Sequence, residues 1–242
     1  MQAIKTTALC KQYKNLTAVD NLTLDIPQGE LFSLLGVNGT GKTTAIKMLS
    51  CLTKPTSGDA LVGGYSITTE PEQVKKRIGV SPQETAIAPN LSVEENLALI
   101  CGIHRFSKEK TQEKIRSLSG QFSLENLLHR KAGKLSGGWQ RRVSIAMALI
   151  SDPKILFLDE PTLGLDVMAR HELWDAIGAL KGRVTMILTT HYMEEAEALS
   201  DRIGIMKNGR LLGVGTPEEW RERTNTRTFE AAFVTTVKEA DV

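Results

Sequence analysis

The sequence is poor in the features that mark secreted, membrane-spanning or nucleic-acid-binding proteins. Cysteine occurs three times in 242 residues, as Cys10, Cys51 and Cys101, far apart and without a C-x-x-C pair. That pattern supports neither a disulfide framework nor a zinc site and suits a reducing compartment. No segment approaches the roughly 20 consecutive apolar residues of a spanning helix, and the opening MQAIKTTALCKQYKN holds no apolar stretch of signal length. A role at a membrane is therefore expected to need another chain that crosses it. The 30 basic and 28 acidic residues nearly cancel to +2, with no block of one sign, so no nucleic-acid groove is expected. Internal repeats and low-complexity segments are absent, and an apolar content of 41% is enough for one large domain or two interlocked subdomains.

The patterning that is present divides the chain. AVDNLTLDI (Ala18 to Ile26) alternates apolar and polar residues and ends at Pro27-Gln28-Gly29-Glu30, and ALVGGYSI (Ala60 to Ile67) reads similarly. Both predict strands of a small antiparallel sheet. ILFLD (Ile155 to Asp159), TMILTT (Thr185 to Thr190) and RIGIM (Arg202 to Met206) are continuous apolar or β-branched runs, the pattern of parallel strands buried on both faces. Between Ser92 and Ile150 strand patterns give way to helical periodicity, opened by Ser92 and Glu95 in capping-box spacing, which predicts a helical insertion. Thr216-Pro217-Glu218-Glu219 predicts another helix start.

One junction carries chemistry. LFSLLGVNGTGKTTAIKML runs from an apolar strand through glycines into a helix, and Gly36 to Thr43 fits G-x-x-x-x-G-K-[ST]. In such a loop, backbone N–H groups turn inward on phosphate, Lys42 supplies a cation toward the β- and γ-phosphates, and the Thr43 hydroxyl is placed to hold Mg²⁺. Downstream, ILFLDE sets Asp159 and Glu160 at the end of a buried strand, where open α/β sheets present ligand-binding residues. With a phosphate loop in the same chain, Asp159 is expected to support the metal and Glu160 to orient or deprotonate the attacking water. His191, after TMILTT, could reach a γ-phosphate oxygen or that water, and Gln83, in VSPQE, could complete the metal shell. Residue chemistry alone does not separate these two from a structural histidine and a surface glutamine.

The stretch KLSGGWQRRVSIAMALISDPKILFLDEPTLGLD changes that balance, because a second glycine-rich helix start lies just upstream of the carboxylate strand. With it, nearly the whole chain resembles the ABC transporter ATPase family, motif by motif and in order. The resemblance implies a P-loop NTPase fold: a RecA-like, mostly parallel sheet core with a small antiparallel β subdomain and an α-helical insertion. It further implies an ATPase domain over 1–224, with the nucleotide core at 1–84 and 151–215, the helical signature subdomain at 85–150, and a short extension at 225–242. It assigns Tyr13 to adenine stacking, Gly36, Asn38, Gly39, Thr40, Gly41, Lys42, Thr43 and Thr44 to the phosphate loop, and Gln83 to the Q-loop. Ser136, Gly137 and Gly138 fall in the signature that meets an ATP held by another subunit. Asp159 becomes the metal carboxylate, Glu160 the catalytic base, Asp166 the D-loop aspartate that crosses the dimer interface, and His191 the switch histidine. Two departures stand out: Trp139 where many members have glutamine, and Val37 where proline is common.

The segments SPQETAIAPNLSVEENL and LTTHYMEEAEALSDRIGIMKNGRLLGVGTPEEW look like the ATPase subunits of ABC-2-type exporters, and TFEAAFVTTVKEADV is similar to their short helical ending. The resemblance therefore implies ATP and Mg²⁺ as cofactors, a transmembrane permease and a second ATPase subunit, identical or not, as partners, and a peripheral place on the cytoplasmic face of the cell membrane. An importer subunit or a soluble, non-transport ATPase of the same family is the alternative. Residues 84 to 91 are expected to line the groove that receives a permease helix.

Overall fold

The structure, a computed structural model, describes residues 1–240. Strands β1 (Gln2–Tyr13), β2 (Leu16–Pro27), β3 (Leu31–Leu35), β4 (Ser57–Val62), β5 (Tyr65–Ser66), β6 (Ile78–Ser81), β7 (Ile155–Asp159), β8 (Thr185–Thr190), β9 (Arg202–Lys207) and β10 (Arg210–Gly215) form two sheets. The smaller is antiparallel in the order β2-β1-β4-β5; the larger runs β10-β9-β3-β8-β7-β6. Within the larger sheet β9, β3, β8, β7 and β6 are parallel, and β10 closes one edge as an antiparallel hairpin with β9. The expected mixture of a parallel core and a small antiparallel sheet is what the chain forms.

Differences from the sequence reading sit in the antiparallel sheet. ALVGGYSI is two strands, because Gly63 and Gly64 both take positive φ (58° and 86°) and turn the chain between β4 and β5. β1, for which the alternation gives no clean signal, pairs with β2 through several register shifts, with Ala8 at φ 49°. Such bulges break the period of two on which a strand reading depends. Tyr13 is the last residue of this strand.

Helices α1 (Lys42–Leu49) and α2 (Pro71–Lys75) follow the β3 and β5 turns, and α3 (Val93–Ile103), α4 (Lys108–Gln121) and α5 (Gly137–Leu149) fill the stretch that lacks strands. Ser92 caps α3 in a full capping box with Glu95, as its spacing predicts. The apolar faces of α3, α4 and α5, including Val93, Leu97, Ile115, Leu118 and Val143, pack with Leu173 and Ile177 of α6 (Val167–Gly178) against Leu156, Leu158 and Leu188 of the parallel sheet. Beside that core, over β3 and β9, lie α7 (Met193–Leu199), α8 (Pro217–Thr224) and α9 (Phe229–Glu239), sealed by Trp220, Phe229 and Phe233. Thr216 caps α8 with Glu219 in the second expected capping box. The last two residues of the expected helical ending, Asp241 and Val242, lie outside the described residues.

Register decides where function can sit. Leu35 pairs with Thr190, Asp159 with Thr189 and Ser81 with Leu158. The loops that leave β3, β6, β7 and β8 therefore open together at the C-terminal edge of the parallel sheet. Among the described residues no helix is long and apolar enough to cross a membrane.

Candidate nucleotide site

The loop that leaves β3 is shaped by two glycines with no room for a side chain. A Cβ on Gly36 would lie 2.5 Å from the Met206 carbonyl oxygen, and one on Gly41 would lie 2.1 Å from that of Ala18. Gly41 also takes φ 98° as the N-cap of α1, a conformation that costs other residues strain. The loop thus wraps close to its own chain and ends on the first turn of a helix, whose leading N–H groups have no intrahelical acceptor.

Lys42 begins α1 and is buried. Its Nζ donates to the carbonyls of Gly36 (2.6 Å) and Val37 (3.2 Å) and lies 3.3 Å from Glu160 Oε1. The other carboxylate oxygen of Glu160 is 2.7 Å from His191 Nδ1. An ionised carboxylate only accepts, so this contact puts the hydrogen on Nδ1. Glu160 itself sits at φ 47°, unusual for a residue with a Cβ. Its N–H donates to Thr189 O (3.1 Å) and Thr189 Oγ1 (3.0 Å), which fix the strained turn at the end of β7. Asp159, one residue earlier, accepts from Thr43 Oγ1 at 3.0 Å and from Thr189 Oγ1 at 2.5 Å. Thr43, Asp159, Glu160 and His191 thus form one connected polar network with Lys42.

A cavity of about 560 Å³ opens over this network, taking in Asn38 to Thr44, Tyr13, Gln83, Glu160 and His191. Tyr13 stands at its rim, 44% exposed, with Lys11 Nζ 4.9 Å from the ring centre. An exposed ring beside a cation is able to stack on a flat heterocycle. Gly36 and Asp159 lie behind the wall, through their contacts to Lys42 and Thr43.

Ser136, Gly137, Gly138 and Asp166 do not line this cavity. Ser136 is the exposed N-cap of α5 and makes no side-chain cap bond. A Cβ on Gly138 would lie 3.1 Å from that of Ala169, so the start of α5 abuts the start of α6, which Asp166 caps by accepting from Ala169 N at 2.9 Å. Trp139 packs against the helical core with the Arg142 guanidinium 4.5 Å from its ring centre, and Arg142 pairs with Glu172 on α6 at 2.6 Å.

Several residues with a part in this architecture carry no motif. Arg141 looks in the sequence like one more solvated helix charge, yet it is buried and donates to Pro82 O (2.6 Å) and Gln83 O (2.5 Å), tying α5 to the Gln83 loop. Burial pulls its guanidinium below the usual arginine value, opposed by the charges of Asp159 and Glu195. Glu195 on α7 is fully buried and accepts from Trp174 Nε1 at 3.1 Å. Burial pushes its carboxyl up, the charge of Glu160 adds to the rise, and the hydroxyls of Thr190 and Thr162 with the Trp174 indole oppose it. Thr189 reads as a β-branched strand residue, and only its register with Asp159 shows that its hydroxyl holds the turn.

The donor set around Thr43 is hard and oxygen-based: a hydroxyl, the Asp159 carboxylate and the Gln83 amide at the cavity wall. Among the described residues no group of three His, Cys, Asp or Glu could hold a metal alone. Oxygen donors of this kind suit a hard divalent cation that takes one or two protein ligands and completes its shell with water and phosphate oxygens.

Comparison with known proteins gives the chain a family. The sequence profile of the ABC transporter family matches residues 19–163. The daunorubicin/doxorubicin resistance ATP-binding protein DrrA of Streptomyces peucetius is 39% identical over 219 residues, 90% of this chain and 66% of its own length. The Nod factor export ATP-binding protein I of Burkholderia thailandensis is 39% identical over 208 residues, 86% of this chain and 68% of its own. The chain thus spans about two thirds of the length of these relatives. Among solved structures, an ATP-binding subunit of an ABC transporter superposes with TM-score 0.85 at 27% identity, covering 97% of this chain and 99% of that one. A dimeric ATP-binding cassette bound to ADP and Pi superposes with TM-score 0.79 at 28% identity, covering 88% and 98%.

Proposed function

We propose, from the premise that this chain belongs to the ABC transporter ATP-binding family, that two copies of it sandwich ATP, hydrolyse it, and drive an exporter whose membrane-crossing part is another chain. The observation that carries this reading is the division of the site. The phosphate cradle, Lys42, Glu160 and His191 converge on one cavity, while the signature helix start at Ser136 to Gly138 lies outside it, with Ser136 and Gly137 exposed.

In this reading Asn38 to Thr44 bind the phosphates through backbone N–H groups, and Lys42 moves its charge from the Gly36 and Val37 carbonyls toward the β- and γ-oxygens. Tyr13 stacks on the adenine. Mg²⁺, when bound by Thr43, Asp159 and Gln83, would offset charge on the phosphates. Glu160 takes the proton of the attacking water, and His191 Nδ1 holds the second carboxylate oxygen so that the first is aimed. Ser136, Gly137 and Gly138 present α5's N-terminus to the γ-phosphate on the opposite copy, and Asp166 meets the opposite copy at the seam.

The same reading divides the chain into a nucleotide core (1–84 and 151–215), a helical unit (85–150) and a terminal extension (225–242). Movement of the helical unit passes to the membrane chain through the segment at 84–91, next to Gln83. Export is favoured over import, and over soluble remodelling work, by relatives named for drug resistance and Nod factor export. The protein would then sit on the cytoplasmic membrane face, bound to its permease. The direct test is phosphate release from ATP by the full chain: turnover that EDTA abolishes is expected. Absence of turnover, alone and with the membrane chains that co-purify, would overturn the reading.

A further inference from the structure

At His191 three side chains are stacked in a row: His191 and Tyr192 are neighbours in the turn between β8 and α7, and Arg170 reaches over from α6. The imidazole of His191 lies 4.1 Å, centroid to centroid, from the ring of Tyr192, tilted by 39°. On Tyr192 rests the guanidinium of Arg170, with Cζ 4.6 Å from the ring centre. Arg170 is in the first turn of α6, and its N–H donates to Asp166 O at 3.0 Å. Nothing in the motif pattern asks for an aromatic after the histidine or an arginine there.

From this row we infer that Arg170 and Tyr192 are positioning residues that hold His191 on Glu160 and make the aim of Glu160 depend on the placement of the Asp166 end of α6. The inference rests on the assignment of Glu160 and His191 in the proposed function and adds what steers them. Three features support it. The Tyr192 backbone is anchored to the end of β8, its N–H donating to Thr190 Oγ1 at 3.0 Å, and its ring lies in contact with both imidazole and guanidinium. Among the described residues the anionic partner of Arg170 is a loose one, Glu194 at 3.8 Å, whose side chain is 83% exposed. Its Nε is buried with no hydrogen-bond partner. A guanidinium in that state draws much of its stabilisation from the face of the ring it covers. The row therefore links two contacts of different kinds: the 2.7 Å bond from His191 Nδ1 to Glu160 within the cavity, and the capped helix start at Asp166 that points out of it. A shift of α6 by a fraction of a ring width would move the arginine off the tyrosine and free the imidazole to tilt.

The test uses the full chain and separates kcat from KM. Tyr192→Ala is expected to lower kcat on the order of 10- to 100-fold, with ATP affinity unchanged, since neither side chain touches the phosphate loop. Arg170→Ala is expected to lower it roughly three- to tenfold, the scale of one cation–π contact. Tyr192→Phe, which keeps the ring, should recover most of the turnover lost in Tyr192→Ala. In a His191→Ala background Arg170→Ala should add nothing further, because the row then ends on no imidazole. Full kcat in both alanine variants, a Tyr192→Phe as impaired as Tyr192→Ala, or losses that simply multiply with His191→Ala would each overturn the inference. ATP binding by calorimetry reports whether each variant folds, and Arg170→Ala with Tyr192→Phe decides the matter if Tyr192→Ala does not. Glu160→Gln, run in parallel, keeps the two levels apart. If it abolishes turnover while the row variants do not, only this inference fails; if it leaves turnover intact, the assignment beneath it fails.

Discussion

The phosphate cavity and the start of α5 are both glycine-rich helix beginnings, and the chain treats them in opposite ways. At the first, Lys42, Asp159 and Glu160 are each about 5% exposed and every charge has a partner within the chain. At the second, Ser136 and Gly137 are exposed and the cap side chain makes no cap bond. A helix N-terminus with free N–H groups is a finished half of an anion site. The contrast teaches that the chain sets two glycine-rich helix starts apart, and that only the one at the cavity has its charges paired within the chain; in the proposed function the other completes the cavity of a second copy.

Predictions test this contrast from the strongest effect downward. Glu160→Gln keeps the shape and the His191 contact but removes the proposed base, so turnover is expected to fall on the order of 10²- to 10⁴-fold while ATP binding persists. A phosphate-release assay beside calorimetry checks both halves of the statement. Lys42→Ala acts on the ground state as well: loss of a charge-assisted contact worth about 1.5–3 kcal/mol should weaken ATP affinity by roughly 10- to 100-fold. Unchanged affinity by calorimetry would break the assignment of the cradle.

Arg141→Ala strikes the seam between the two halves. It leaves the Pro82 and Gln83 carbonyls without their donor, and a loss of about 1–3 kcal/mol in unfolding free energy is expected from denaturant curves, with the Gln83 loop more open to hydrogen exchange.

The smallest effect is at Glu195, whose carboxyl is pushed above its ordinary range in the fold. A raised folded pKa means that the native state binds more protons than the unfolded one, so stability is lost as pH climbs from the ordinary carboxylate value of about 4.3 toward the folded value. Glu195→Gln cannot ionise and should show a shallower fall of Tm between acidic and neutral pH than the parent. Parallel Tm–pH curves would show that Glu195 is not the source.

Much of the scaffold was legible because its signals are local. The phosphate loop, the buried runs ILFLD and TMILTT and both capping boxes depend on residues within a few positions of one another. β1 was not, since its bulges scramble the alternation and its pairing is fixed by β2 and β4. In the site, the placement of Glu160 and His191 on one cavity followed from their position at strand ends. Their mutual bond, the Thr189 brace and the Arg141 clamp follow from parallel register and helix packing, which bring together residues tens of positions apart. Gln83 and His191 became readable only through the ordered resemblance, because a single glutamine or histidine carries no spacing of its own.

The central claim is that the cavity of one copy is completed by the Ser136 to Gly138 helix start of another. Complementation tests it most directly: Lys42→Ala and Ser136→Arg chains, each expected to be inactive alone, are mixed and assayed for ATP turnover. A mixed pair holds one intact phosphate cradle facing one intact signature, so turnover should reappear on mixing and grow with the fraction of mixed pairs. A mixture that stays as inactive as its components, under conditions where the unaltered chain alone turns over ATP, would contradict the account.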